Sequence, residues 1–67
     1  MIPIIVNGES LEVEQGTTLA DLIHTRGLDS EGVAAEVNRA LVPRGTRDEH
    51  VIASGDRIEL VTMVGGG

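Results

Sequence analysis

The sequence contains no cysteine, no phenylalanine, no tyrosine and no tryptophan. Without cysteine the chain cannot be stapled by disulfides, cannot build a thiolate metal site, and has neither a thiol nucleophile nor a thiol on which to carry sulfur. Without aromatic side chains it offers nothing for a nucleic-acid base to stack on. Lysine is also missing, so all five basic residues are arginine. A general bias toward Arg, Gly, Ala and Val accounts for that adequately. A functional alternative is that a chain whose own carboxyl end is activated gains by having no side-chain amine to acylate. No run approaches the roughly 18 apolar residues of a membrane span, and the N-terminus lacks the charged start and long apolar stretch of a signal peptide. The expectation is a cytoplasmic protein.

What is present is a single small domain of 67 residues with a net charge of −6, from five arginines against eleven Asp plus Glu. At this size only about 60% of the unfolded chain's surface can be buried, so stability should be modest. The negative charge repels phosphate backbones and anionic membranes, which argues against nucleic acid and membrane as partners. A basic groove on a protein partner is its natural complement, although solubility alone accounts for most of it.

The pattern along the chain is one of short strands and a single helix. Ile2-Pro3-Ile4-Ile5-Val6 is β-rich, and Asn7-Gly8 is a strong signal for a two-residue hairpin turn. Leu11 and Val13 alternate with Ser10, Glu12 and Glu14, which predicts a returning strand with one wet face. Ile2, Ile4, Val6, Leu11 and Val13 should then point inward, with Pro3 at a strand start or bulge because it cannot donate to a ladder. Thr18 followed three residues later by Asp21 predicts an N-cap, and Leu19, Leu22 and Ile23 recur at helical spacing until Gly27 stops the helix. That helix of about two turns needs tertiary packing to persist. Val33, Ala35 and Val37 alternate as a third strand. Asn38-Arg39 is a candidate turn into Ala40-Leu41-Val42, and Pro43 ends that strand. Arg44 to His50 reads as a charged loop or single turn, Val51-Ile52 as a small apolar anchor, and Ser54-Gly55-Asp56 as a turn into a last strand. These elements make an α+β roll, one helix on a mixed sheet of four to five strands.

The last strand, from Arg57 to Met63, alternates cleanly and then runs into Gly65-Gly66-Gly67. Glycine weakens strands and packs nothing, so residues 1–64 are read as the folded domain and residues 65–67 as a flexible tail. Three extended residues could carry the end about 10 Å from the strand, far enough to enter a narrow partner cleft. The chemical endpoint is the α-carboxylate of Gly67. Glycines at a terminus are often only a frayed end; what favours a functional tail is the scarcity of other chemistry. His24 and His50 are the only candidate general bases, with no cysteine beside them and no phosphate-binding glycine loop, and both are read as solvated surface residues. Two histidines with scattered carboxylates give no metal-ligand spacing, so no metal is expected.

Ile4-Ile5-Val6-Asn7-Gly8-Glu9, then Val37-Asn38 with Leu41-Val42-Pro43-Arg44, then Gly55-Asp56-Arg57-Ile58-Glu59-Leu60 leading to the glycines, resemble the sulfur carrier family of thiamine biosynthesis (ThiS). The resemblance covers nearly the whole chain and departs from the family at Arg39, where glycine commonly follows the asparagine, and in residues 45–50, which lack a common aromatic. It implies the ubiquitin-like β-grasp fold, with the first and last strands parallel at the sheet centre. It also implies that the protein is not an enzyme and holds no cofactor. ATP would be used by a ubiquitin-activating-like adenylyltransferase that activates Gly67. Sulfur would come ultimately from a cysteine desulfurase or another persulfide donor, and thiazole synthase would receive it from the thiocarboxylate. Gly65 and Gly66 would keep side chains away from the reacting carbonyl.

Two other readings share parts of this pattern. A molybdopterin-type sulfur carrier has the same chemistry but a proline-containing approach to its glycines, whereas here the approach is Thr62-Met63-Val64. A protein modifier would instead form isopeptide bonds to lysines. Strand parity puts Ile5, Val61 and Met63 on the sheet face away from the helix, and these three with Val64 are the candidate partner interface.

Overall fold

The structure, a computed structural model, describes residues 1–28 and 30–62. The strands are β1 (Ile2–Val6), β2 (Glu9–Val13), β3 (Val33–Val37), β4 (Ala40–Leu41) and β5 (Arg57–Thr62), with one helix, α1 (Leu19–Thr25), and short 3-10 turns at Ser30–Gly32 and Arg44–Thr46. They form one five-stranded sheet in the order β2-β1-β5-β3-β4. β1 and β5 pair in parallel and the other neighbours pair antiparallel. The expected α+β roll is therefore present, and the first and last strands meet at its centre.

Local chemistry explains the corners. Asn7 and Gly8 (φ +50° and +84°) close the β1–β2 hairpin between the paired residues Val6 and Glu9, and Asn38 and Arg39 (φ +53° and +73°) do the same between Val37 and Ala40. Two consecutive left-handed residues make the mirror-image turn whose twist suits a hairpin. Asparagine tolerates that conformation, whereas Arg39 holds it at a cost of about 1 kcal/mol relative to the glycine that would fit best. Pro3 lies near the start of β1, before β1 meets β5, since the first β1–β5 pair is Ile5 with Arg57. Its missing N–H thus removes no bond to the neighbouring strand.

The helix starts where predicted. The Thr18 hydroxyl accepts from the Asp21 N–H at 3.1 Å, and the Asp21 carboxylate accepts from the Thr18 N–H at 3.2 Å, a complete capping box. At the other end Gly27 turns left-handed (φ +73°), and the Leu28 and Gly27 N–H groups donate back to the carbonyls of Ile23 and His24. The C-terminal turn is thereby closed locally, whereas at the N-terminal end the Leu19 and Ala20 N–H groups donate to the distant carbonyls of His50 and Arg47. Seven residues of helix hold their shape by burying Leu19, Leu22 and Ile23 against Ile4, Val6, Val33, Ala35, Val37, Ile58 and Leu60 of the sheet. Ile2, Leu11 and Val13 are half-buried at the margin of this core.

The segment between β4 and β5 departs from expectation. Of the Val51-Ile52 anchor only Ile52 is buried; Val51 is exposed, and its main chain forms an isolated bridge to Thr18. His24 is exposed as expected, but His50 is half-buried, because its carbonyl accepts from the Leu19 N–H at the helix start. Arg47, in what reads as a solvated charged loop, is 4% exposed. Its guanidinium donates to the Val33 carbonyl at 2.7 Å and the Val42 carbonyl at 3.3 Å. The reason lies in β4, which pairs with β3 only at Glu36 and Val37. The lower half of the β3 edge has no strand beside it, and Arg47 supplies donors in place of a strand.

Candidate functional site: the end of the last strand and the uncovered face

β5 is the central strand, and in sequence it precedes the glycine segment. Its antiparallel pairing with β3 extends to its last residue, Thr62, opposite Val33. Its parallel pairing with β1 is much shorter, only Ile5 with Arg57 and Val6 with Ile58. An asparagine side chain reaches β5 from each flanking hairpin turn. Asn7 accepts from the Leu60 N–H at 2.8 Å and donates to the Leu60 carbonyl at 3.2 Å. Asn38 accepts from the Arg57 N–H at 3.0 Å and donates to the buried Asp56 carboxylate at 2.9 Å, whose other oxygen accepts from the Ala53 N–H. Sequence reasoning assigned both asparagines to turns and missed these contacts, because nothing local signals a partner in another strand.

Of the candidate interface residues, Ile5 is half-buried and Val61 is 59% exposed. Both lie on the face away from the helix, since their neighbours in sequence, Ile4, Val6 and Leu60, are buried in the core. They share that face without touching. Ile5 stands opposite Arg57, and Val61 is four residues farther along β5, roughly 13 Å at the usual rise of a strand. Val61 instead faces Ala34 across the β5–β3 pair. Leu41, 66% exposed on β4 and opposite Glu36, continues the apolar strip toward the sheet edge. Ala34, Leu41, Val42 and Pro43 line an open groove of about 370 Å³ there, rimmed by Glu31 and Arg44, whose side chains approach to 3.7 Å. Leu41 belongs with Val61, and counting parity outward from the Asn38-Arg39 turn would have found it. Met63, Val64, Gly65, Gly66 and Gly67, and with them the tail itself, lie outside the described residues.

Beside this strip Glu36 and Glu59 stand directly opposite each other on β3 and β5. Like charges in that position disfavour the sheet by about 0.2–1 kcal/mol, a cost a cationic partner group would relieve. Among the described residues no three His, Asp or Glu side chains are grouped so as to hold a metal ion, and no helix is long and apolar enough to cross a membrane.

Known proteins resemble this chain over nearly its whole length. The ThiS family profile matches residues 4–67. The chain is 45% identical over 64 residues to a thiazole synthase of Magnetococcus marinus; that match takes in 96% of this chain and 20% of the relative, so the chain spans about a fifth of that protein's length. It is 28% identical over 64 residues to the sulfur carrier protein ThiS of Escherichia coli, covering 96% of this chain and 97% of that one. Among solved structures, the crystal structure of the thiamine biosynthesis protein ThiS from Geobacter metallireducens superposes with a TM-score of 0.84 at 25% identity, covering 98% of this chain and all of the other.

Proposed function

The chain belongs to the ThiS family, and from that premise we propose that it is a sulfur carrier of thiamine biosynthesis whose reactive group is the carboxylate of Gly67. The folded body is the handle by which partner proteins hold it. A carboxylate is a poor electrophile, so a partner adenylyltransferase must first activate it: the carboxylate oxygen attacks the α-phosphorus of ATP, giving an acyl adenylate and releasing pyrophosphate. A persulfide sulfur, drawn ultimately from a cysteine desulfurase or an equivalent donor, then attacks the acyl carbon and expels AMP. Thiol cleavage of the resulting S–S bond leaves a C-terminal thiocarboxylate. Its sulfur is anionic and soft, suited to attack a carbonyl or imine carbon in the site of thiazole synthase, the recipient. Gly65 and Gly66 let the carbonyl enter both partner sites without a side chain in the way. The carrier itself needs no catalytic residue and no cofactor, and works in the cytoplasm beside these enzymes.

The observation that carries this reading is a family match that runs through the entire chain from residue 4 to Gly67. Likeness to a protein named thiazole synthase supports the choice of recipient. The net charge of −6 and the opposed Glu36 and Glu59 favour partners with basic docking surfaces, with Val61, Ala34 and Leu41 as the apolar part of the contact and Ile5, Met63 and Val64 as further contributors.

The test is intact-mass measurement after incubation with the adenylating enzyme, ATP and a persulfide donor. The expected product has one oxygen replaced by sulfur, and a variant extended by one residue beyond Gly67 should give none. An extended variant that still supports thiazole formation would overturn the assignment.

A further inference from the structure

Asn7 does more than turn the chain: we infer that it is a positioning residue for the C-terminal carboxylate, acting through the main chain of Leu60. The inference rests on the sulfur-carrier reading and adds a residue that reading does not require. The two central strands are mismatched in reach. β1 stops at Val6, one residue after its first pair with β5, while β5 continues to Thr62. On the β1 side of β5 the polar groups alternate along the strand. The Ile58 carbonyl accepts from the Asn7 N–H at 2.9 Å, and the next groups to face that way are the N–H and carbonyl of Leu60. No strand residue remains to meet them. The Asn7 carboxamide carries one acceptor and one donor, and it takes both, at 2.8 and 3.2 Å. Its left-handed backbone, φ +50°, is what lets the side chain fold back along the ladder it terminates. A side chain thus extends the central ladder by one step toward the tail.

Leu60 is consequently the last residue of β5 gripped on both sides. Residues 61 and 62 are paired on the β3 side alone, opposite Ala34 and Val33. This brace therefore steadies the end of β5, from which five residues, 63–67, lead to the carboxylate. Those five span at most about 17–18 Å when extended. Loosening their base spreads the carboxylate over a larger volume and lowers the fraction of bound carriers in reacting position. Docking of the body is left in place. The expected signature is a fall in kcat for adenylation with KM little changed.

Asn38 provides the control. It too is an asparagine in a left-handed turn whose side chain holds β5, but at Arg57, the end remote from the tail. Asn7→Gly and Asn38→Gly each keep the positive-φ turn while deleting one brace. With the adenylating enzyme and ATP, at concentrations where each variant is folded by circular dichroism, Asn7→Gly should lower kcat about fivefold to tenfold with KM within about twofold, while Asn38→Gly stays near wild type. In the carrier alone, amide hydrogen exchange at Leu60 should speed by at least about tenfold in Asn7→Gly and not in Asn38→Gly. Asn7→Asp, which keeps an acceptor for the Leu60 N–H but presents oxygen to the Leu60 carbonyl, carries the same test should the glycine variant not fold. Equal kcat in wild type and Asn7 variants, an equal loss in Asn38→Gly, or unchanged exchange at Leu60 would each overturn the inference. Failure of wild-type carrier to be adenylated at all would overturn the sulfur-carrier reading instead, and the exchange measurement would still decide whether Asn7 holds Leu60.

Discussion

On the helix-covered face of the sheet Ile4, Val6, Val33, Val37, Ile58 and Leu60 are all buried. One residue along the same strands, Ile5, Ala34, Glu36, Glu59 and Val61 point the other way and keep contact with water. The two faces share a backbone and differ in what alternate residues are asked to do. The inner face excludes water and holds the fold; the outer face can tolerate an exposed valine, an exposed leucine and two opposed glutamates because little of the fold's free energy depends on them. On the sulfur-carrier reading, where successive partners must recognise the body, such a division lets changes that tune docking leave the body standing.

The contrast is broken most severely from inside. Ile58→Ala should cost about 3 kcal/mol, the usual range for truncating a buried isoleucine, and a domain of this size rarely has more than about 3–5 kcal/mol in hand. Urea unfolding should show the variant largely unfolded at physiological temperature; a loss under about 1 kcal/mol would mean the inner face is not where stability resides. Next in size is a comparison of two arginines three residues apart. Arg47→Ala removes the guanidinium that serves the Val33 and Val42 carbonyls and should cost about 2–3 kcal/mol. Arg44→Ala, which breaks only an exposed pair with Glu31, should change stability by less than about 0.5 kcal/mol. Equal effects in denaturant titrations would refute the buried role of Arg47. The smallest effect on stability is expected from the outer face: Val61→Asp should cost less than about 1 kcal/mol, yet weaken binding to the adenylating partner roughly tenfold. Wild-type affinity by calorimetry would remove Val61 from the interface.

Much of this architecture was legible because it is encoded over a few residues. Asn7-Gly8 favours a left-handed turn, Asn38-Arg39 reads as a candidate turn, Thr18 with Asp21 caps the helix, Gly27 ends it, and parity along β1, β3 and β5 sorts inward from outward side chains. Arg47 was not legible. Its sequence neighbours are charged and solvated, and only the shortness of β4 leaves a carbonyl that needs its guanidinium. Leu41 was half legible: its parity was available, but its place beside Ala34, on the same face as Val61, depends on β3 lying between β4 and β5.

The sequence by itself determined the list of elements, the side of each strand that meets the core, and a chain that runs into glycine with almost no other chemistry. Those are properties of backbone preference and periodicity, which act between near neighbours. Only the tertiary structure decided that β1 falls short of β5 and that Asn7 closes the gap to a residue 53 positions away. It likewise decided that a loop arginine completes the edge of β3. Unpaired backbone groups arise where strands of unequal length are brought together by packing, and which side chain is close enough to meet them is fixed by the assembled fold.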